Sequence, residues 1–185
     1  MTRIALVSGS PSEPSRVASL LAWLSRRLET HGIETQTIYV RNLPPDDLLH
    51  ARTQSPAIAR ANHVISEADA VVVGTPIYKA AYTGILKAYL DLLPNGALAN
   101  KPVLPVAVGG TIAHLLALEY ALKPVLAVLG ATVLEKSVFG LETQFSRLDS
   151  LDGYEVAPDL EPRLAEAAEH LVQQVNPVLL RAATH

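Results

Sequence analysis

Runs rich in aliphatic and β-branched residues alternate along this chain with segments of helical periodicity, and few folds accommodate that order. Strands are expected at Arg3–Ser8, Glu34–Val40, Ala70–Thr75, Pro102–Val108 and Thr132–Phe139. Between the first two, Val17, Leu20, Leu21, Leu24 and Leu28 recur at helical spacing, and His31-Gly32 supplies a stop. Further helices are expected over Pro56–Glu67, Gly84–Leu93, Ile112–Leu129 and Glu161–Arg181, the last bent or broken at Pro177. The stretch Leu141–Pro158 has weak periodicity and reads as a long, partly irregular connection. No repeat or low-complexity linker interrupts the alternation, which is the pattern of βαβ units around a parallel sheet. Five strands fit a doubly wound α/β sheet. With 185 residues, 49% of them hydrophobic, one domain spanning residues 1–185 is expected.

Charge and composition exclude several partners. A net charge of −3, with no dense Lys/Arg run and no interleaved aromatic platform, argues against nucleic acid and against an anionic membrane surface. Met1-Thr2-Arg3 leads straight into a strand-like run and leaves no room for a signal peptide, so a cytoplasmic location is expected. The absence of cysteine removes disulfides, thiolate metal sites and thiol catalysis. Any redox chemistry therefore needs a bound cofactor.

Ligands of open parallel sheets bind beyond the carboxyl ends of the strands, and three loops leave that edge. The first, Ser8 to Arg16, follows the apolar run Ile4-Ala5-Leu6-Val7 and precedes a helix whose N-terminus offers free N–H groups to an anion. It lacks both the G-x-G-x-x-G and the G-x-x-x-x-G-K-[ST] patterns. Ser8, Ser10, Ser12 and Ser15, with Arg16, instead suit a terminal monophosphate such as that of FMN; an ordinary turn with Ser15 as N-cap is the alternative. The second loop, Thr75-Pro76-Ile77-Tyr78-Lys79, offers an extended backbone and an aromatic face. The third, Gly109-Gly110-Thr111, brings N–H groups close to the polar edge of a flat ring. Together they describe a flavin mononucleotide pocket.

Other chemistries find little support. There is no G-x-S-x-G elbow, and the six histidines form no H-E-x-x-H or close metal-ligand pair. His114 either faces the pocket or packs locally at its helix start. Asp91 and Glu119 are helical acids without a catalytic partner. Pro124, inside the fourth expected helix, cannot donate to the Tyr120 carbonyl, so a kink or a π-bulge must interrupt the ladder there.

Gly9-Ser10-Pro11, Ser15-Arg16, the run from Thr75-Pro76-Ile77-Tyr78-Lys79 to Lys87, Asp91-Leu92-Leu93-Pro94, Gly109-Gly110-Thr111 and the run from His114 to Val125 together resemble the NAD(P)H-dependent FMN reductases that serve alkanesulfonate and methanesulfonate monooxygenases. The likeness covers about residues 3–140, and the segment after Leu141 is too variable to assign. It implies a flavodoxin-like fold with strand order 2-1-3-4-5, FMN as a dissociable substrate, NADPH or NADH as donor, and a sulfonate monooxygenase as partner. It also implies a homotetramer or dimer of dimers in which an inserted tyrosine, at the place of Tyr120, sits in a π-helix beside the flavin. On this view Ser8, Ser10, Ser15 and Arg16 hold the phosphate. Pro76, Ile77 and Tyr78 line the ring, Thr75, Gly109 and His114 belong to the same cofactor-binding set, and the N–H groups of Gly110 and Thr111 stabilise the charge of reduced flavin. No side chain acts as acid or base, since hydride transfer is the cofactor's own chemistry. The two rival classes are a flavodoxin-like electron carrier, expected to be more acidic, and a quinone or azo reductase that retains its flavin.

Overall fold

A computed structural model describes residues 1–148 and 153–175, and in it the apolar runs form the middle of a parallel sheet. β1 (Arg3–Ser8), β3 (Ala70–Tyr78) and β5 (Pro102–Gly109) are its buried centre, and β2 (Glu34–Tyr39) is an edge with Glu34 and Gln36 exposed. Beyond β5 lie β6 (Thr132–Val133) and β7 (Val138–Leu141), both paired with β5, so that they share one position in the sheet. The order β2-β1-β3-β5-β6/β7 is the flavodoxin-like 2-1-3-4-5 arrangement.

Side chains of successive strand residues point to opposite faces, and the core divides accordingly. Ile4 and Leu6 of β1 pack with α1 (Arg16–Glu29) and α6 (Glu161–Val175). Ala5 and Val7 pack with α3 (Pro56–Glu67), α4 (Gly84–Leu90) and α5 (Lys123–Val128). A short exposed helix, α2 (Pro45–Leu49), has no counterpart in the sequence pattern and starts on a proline at its first position, where a missing N–H costs nothing.

Several expected boundaries are corrected. The fifth strand is not continuous over Thr132–Phe139: the Leu134 N–H still donates to the Val103 carbonyl at 2.9 Å, but residues 135–137 leave the ladder, where the Glu135 carbonyl accepts from Lys123 Nζ at 3.1 Å and Lys136 pairs with Glu166. β3 runs past Thr75 to Tyr78 and folds back on β4 (Ala81–Tyr82) through Lys79 and Ala80, whose φ values of 50° and 62° are those a two-residue type I′ turn demands. Helix α4 stops at Leu90, and the Leu92 and Leu93 amides bond three residues back, since Pro94 disfavours helical backbone before it. The connection after Leu141 holds an antiparallel pair, β8 (Phe145–Arg147) and β9 (Tyr154–Val156), whose Phe145 and Val156 enter the core on the α1 side. The expected extension of α6 to Arg181 and its bend at Pro177 lie outside the described residues.

The fourth expected helix, Ile112–Leu129, is three pieces. A 3₁₀ turn at Ile112–His114 leads to a π-helical turn at Leu118–Leu122 and then to α5. The Lys123 N–H donates to the Leu118 carbonyl, five residues back, so the widened turn closes one residue before Pro124. No described helix is long and apolar enough to cross a membrane.

Candidate functional site

Ser8, Ser10, Ser15, Thr75 and Thr83 are the buried polar residues among those described, and all five sit on or just beyond the carboxyl ends of β1 and β3. Buried hydroxyls normally find partners. Ser8 is fully buried, yet its Oγ has none. Ser10 Oγ accepts from the Ser12 N–H at 3.3 Å, and Ser15 Oγ accepts from the Ala18 N–H at 3.2 Å as the N-cap of α1. The cap leaves each hydroxyl its own proton to donate, so capping and ligand binding are compatible.

Thr83 joins the first two loops and escaped the sequence reading. Its Oγ1 donates to the Gly9 carbonyl at 2.5 Å and accepts from the Leu86 N–H at 3.3 Å, while its own N–H donates to Thr75 Oγ1 at 3.2 Å. The Gly9 N–H donates in turn to the Gly74 carbonyl at 2.7 Å. A Thr-Gly pair before an apolar helix marks an N-cap in sequence, but nothing local reveals the bond to Gly9. Gly9 is required by this contact, since a Cβ there would stand 2.7 Å from the Leu86 Cβ.

Arg16 lies at the first position of α1, and its surroundings come from segments that the sequence left unassigned. Its guanidinium stacks over the Tyr154 ring at 4.8 Å and its Nη1 is 3.9 Å from Glu142 Oε2. Its Nε is buried without a partner. Arg41, also missed, braces the first loop from outside: Nη1 donates to the Ser12 carbonyl at 3.1 Å and Nη2 pairs with Glu13 at 2.8 Å. Pairing of β1 with β2 is what brings Arg41 there, and no sequence motif marks it.

The remaining candidates form the other side. Ile77 is buried, Pro76 half-buried and Tyr78 exposed at the hairpin. Gly109 is sealed against Phe139, whose ring would meet a Cβ at 2.6 Å; Gly110 is open, with only the Glu142 carboxylate 3.9 Å from a Cβ position. Thr111 Oγ1 accepts from the Ala113 N–H at 3.3 Å and starts the 3₁₀ turn. His114 is half-buried, with Nδ1 lacking a partner. Tyr120 is not gathered into this cradle by its own chain: it is 79% exposed, on a π-turn that packs against β4. Asp91 and Glu119 are accounted for as surface pairs with Lys87 and Lys123, each at 2.6 Å. The hydrogen bond to Asp91 holds the Lys87 ammonium above the ordinary lysine range.

The edge thus offers hydroxyls, a helix N-terminus and one arginine, and no Asp, Glu, His, Lys or Arg is buried among the described residues. No described group of three or more His, Asp or Glu is placed to hold a metal ion. Hydroxyls beside a helix N-terminus and an arginine are the donor set that an anion requires. With the strand order, this defines a flavodoxin-like protein with its ligand edge at the switch in strand order.

The chain belongs to the NADPH-dependent FMN reductase family, which it matches over residues 2–146, and it is an oxidoreductase. It is 43% identical over 163 residues to an FMN reductase (NADPH) of Pseudomonas putida, covering 88% of this chain and 83% of that one. It is 43% identical over 174 residues to an FMN reductase (NADPH) of Escherichia coli (strain K12), covering 94% and 90%. Among solved structures, NADH:FMN oxidoreductase (EMOB) in its apo form aligns with a TM-score of 0.84 at 37% identity, over 95% of this chain and 90% of that one.

Proposed function

We propose that this chain, acting as a single flavodoxin-like domain, reduces FMN with NAD(P)H and releases the reduced flavin to a sulfonate monooxygenase. The observation that carries the reading is the set of five buried hydroxyls at the ligand edge, one of them, Ser8 Oγ, unpartnered. Ser8, Ser10 and Ser15, the N-terminus of α1 and Arg16, whose Nε also lacks a partner, fit a phosphate monoester. Thr75, Pro76, Ile77 and Tyr78 flank the ring on one side, and Gly109, Gly110, Thr111 and His114 on the other. When bound, the flavin would supply the hydride-accepting chemistry, and the residues around it would have only to position and release it. Gly110 and Thr111 are exposed, and backbone N–H groups at such a position are suited to the ring edge where charge develops.

Release of flavin as product suits a cradle built from neutral hydroxyls with a single cation. Tyr120, exposed like Ile112, Leu115 and Leu116 of the same stretch of chain, fits an assembly of four copies in which it meets a neighbouring subunit near the flavin. The cytoplasm, where nicotinamide donors turn over, is the fitting compartment. Both donors enter the test, since the two relatives are named for NADPH and the solved structure for NADH. Steady-state oxidation of each nicotinamide should be slow for the purified, colourless protein and rapid once free FMN is added. A preparation that stays yellow through dialysis and oxidises NADPH without added flavin would overturn the substrate reading in favour of a retained-flavin quinone reductase or carrier.

A further inference from the structure

The arginine assigned to the phosphate already has an anionic neighbour. We infer that Glu142 is a built-in competitor for the flavin phosphate, holding the Arg16 guanidinium in the ligand-free chain and setting how readily FMN leaves. The inference rests on the FMN reading above and adds to it a residue that sets affinity.

Gly109 pairs with Leu141 at the last register position of β5 and β7, so Gly110 and Glu142 emerge side by side from the carboxyl edge. The Glu142 carboxylate is 3.9 Å from Arg16 Nη1 and 3.9 Å from the Cβ position of Gly110, which puts it between the two proposed ends of the flavin contact. Arg16 is its one cationic neighbour within 4.0 Å among the described residues.

The geometry is that of a contact made to be displaced. Charge-assisted N–H···O bonds run at about 2.7–2.9 Å, whereas this pair stands at 3.9 Å with the Glu142 side chain 51% exposed. The Tyr154 ring, stacked on the same guanidinium at 4.8 Å, holds its plane without neutralising it. Arg16 is therefore positioned by a neutral aromatic and loosely engaged by a carboxylate. An incoming phosphate has to displace the carboxylate, and a departing one is replaced by it. An exposed pair of this kind changes binding by about two- to fivefold.

The test is a titration of FMN and of riboflavin, which lacks the phosphate, into the wild type, Glu142→Gln, Arg16→Ala and the double variant, read by flavin fluorescence. Glu142→Gln should tighten FMN about two- to fivefold, leave riboflavin unchanged, and lose its effect when Arg16 is absent. Thermal melts of the variants check that the exposed substitution leaves the fold intact. An unchanged FMN affinity, an equal gain for both flavins, or a gain that persists undiminished without Arg16 would overturn the inference. Wild-type protein that binds neither flavin would instead overturn the proposed function itself.

Discussion

At the scale of single residues, neighbouring glycines at the third loop have different reasons to be there. A Cβ at Gly109 would stand 2.6 Å from the ring of Phe139, itself 1% exposed, so Gly109→Ala should cost about 1–3 kcal/mol in a thermal melt through overpacking. Gly110 has no such obstacle. Gly110→Ala should leave the melt within about 0.5 kcal/mol and show its effect as weakened flavin binding alone. Arg16→Ala should weaken FMN about tenfold, the loss of a charge-assisted bond, and change single-turnover reduction at saturating flavin much less. Unaltered flavin affinity would remove Arg16 from the site. The serines of the first loop were legible in sequence because hydroxyls, strand and helix start lie within a few residues of one another. Thr83, Arg41, Glu142 and Tyr154 were not, because each reaches the site through strand pairing or a hairpin that no local pattern encodes.

Among the elements, the π-turn shows how a chain announces a defect without specifying its form. Pro124 requires that the ladder be interrupted, and either a kink or a widened turn satisfies that requirement. The structure places the extra residue at Leu118–Leu122 and closes the turn by the Lys123 to Leu118 bond. Deleting Tyr120 should restore α-helical spacing there and change both flavin retention and the assembly state, measured by equilibrium dialysis and sedimentation. An unchanged protein on both counts would reduce the turn to a local packing solution. The β3–β4 hairpin was illegible for a different reason. Its turn residues, Lys79 and Ala80, adopt positive φ without the Asn-Gly signature that normally signals it. The break between β6 and β7 was hidden because its partners, Lys123 and Glu166, come from helices on either side of the sheet.

For the whole molecule, the parallel α/β sheet followed from the alternation of apolar runs with helical segments and its strand order from the family resemblance, whereas the outer surface followed from neither. Ile112, Leu115, Leu116, Tyr120 and Val128 leave large apolar side chains exposed along one stretch of chain. Leu116→Glu should shift sedimentation to a smaller species, because a charge is costly in a dry interface. A wild-type monomer at micromolar concentration would defeat that expectation. The Thr83 bond to Gly9 has a consequence for motion. It ties the first loop, whose helix α1 packs in one half of the core, to α4, which packs in the other. Opening this wall means disturbing both halves at once, so the amides of Gly9, Thr83 and Leu86 should exchange with deuterium only on global unfolding. The exposed stretch from Gly110 to Ala113 should exchange fast in the free protein and slow when FMN is added. Flavin would then meet one rigid wall and one compliant one, and the ordering entropy of binding would fall on a single loop.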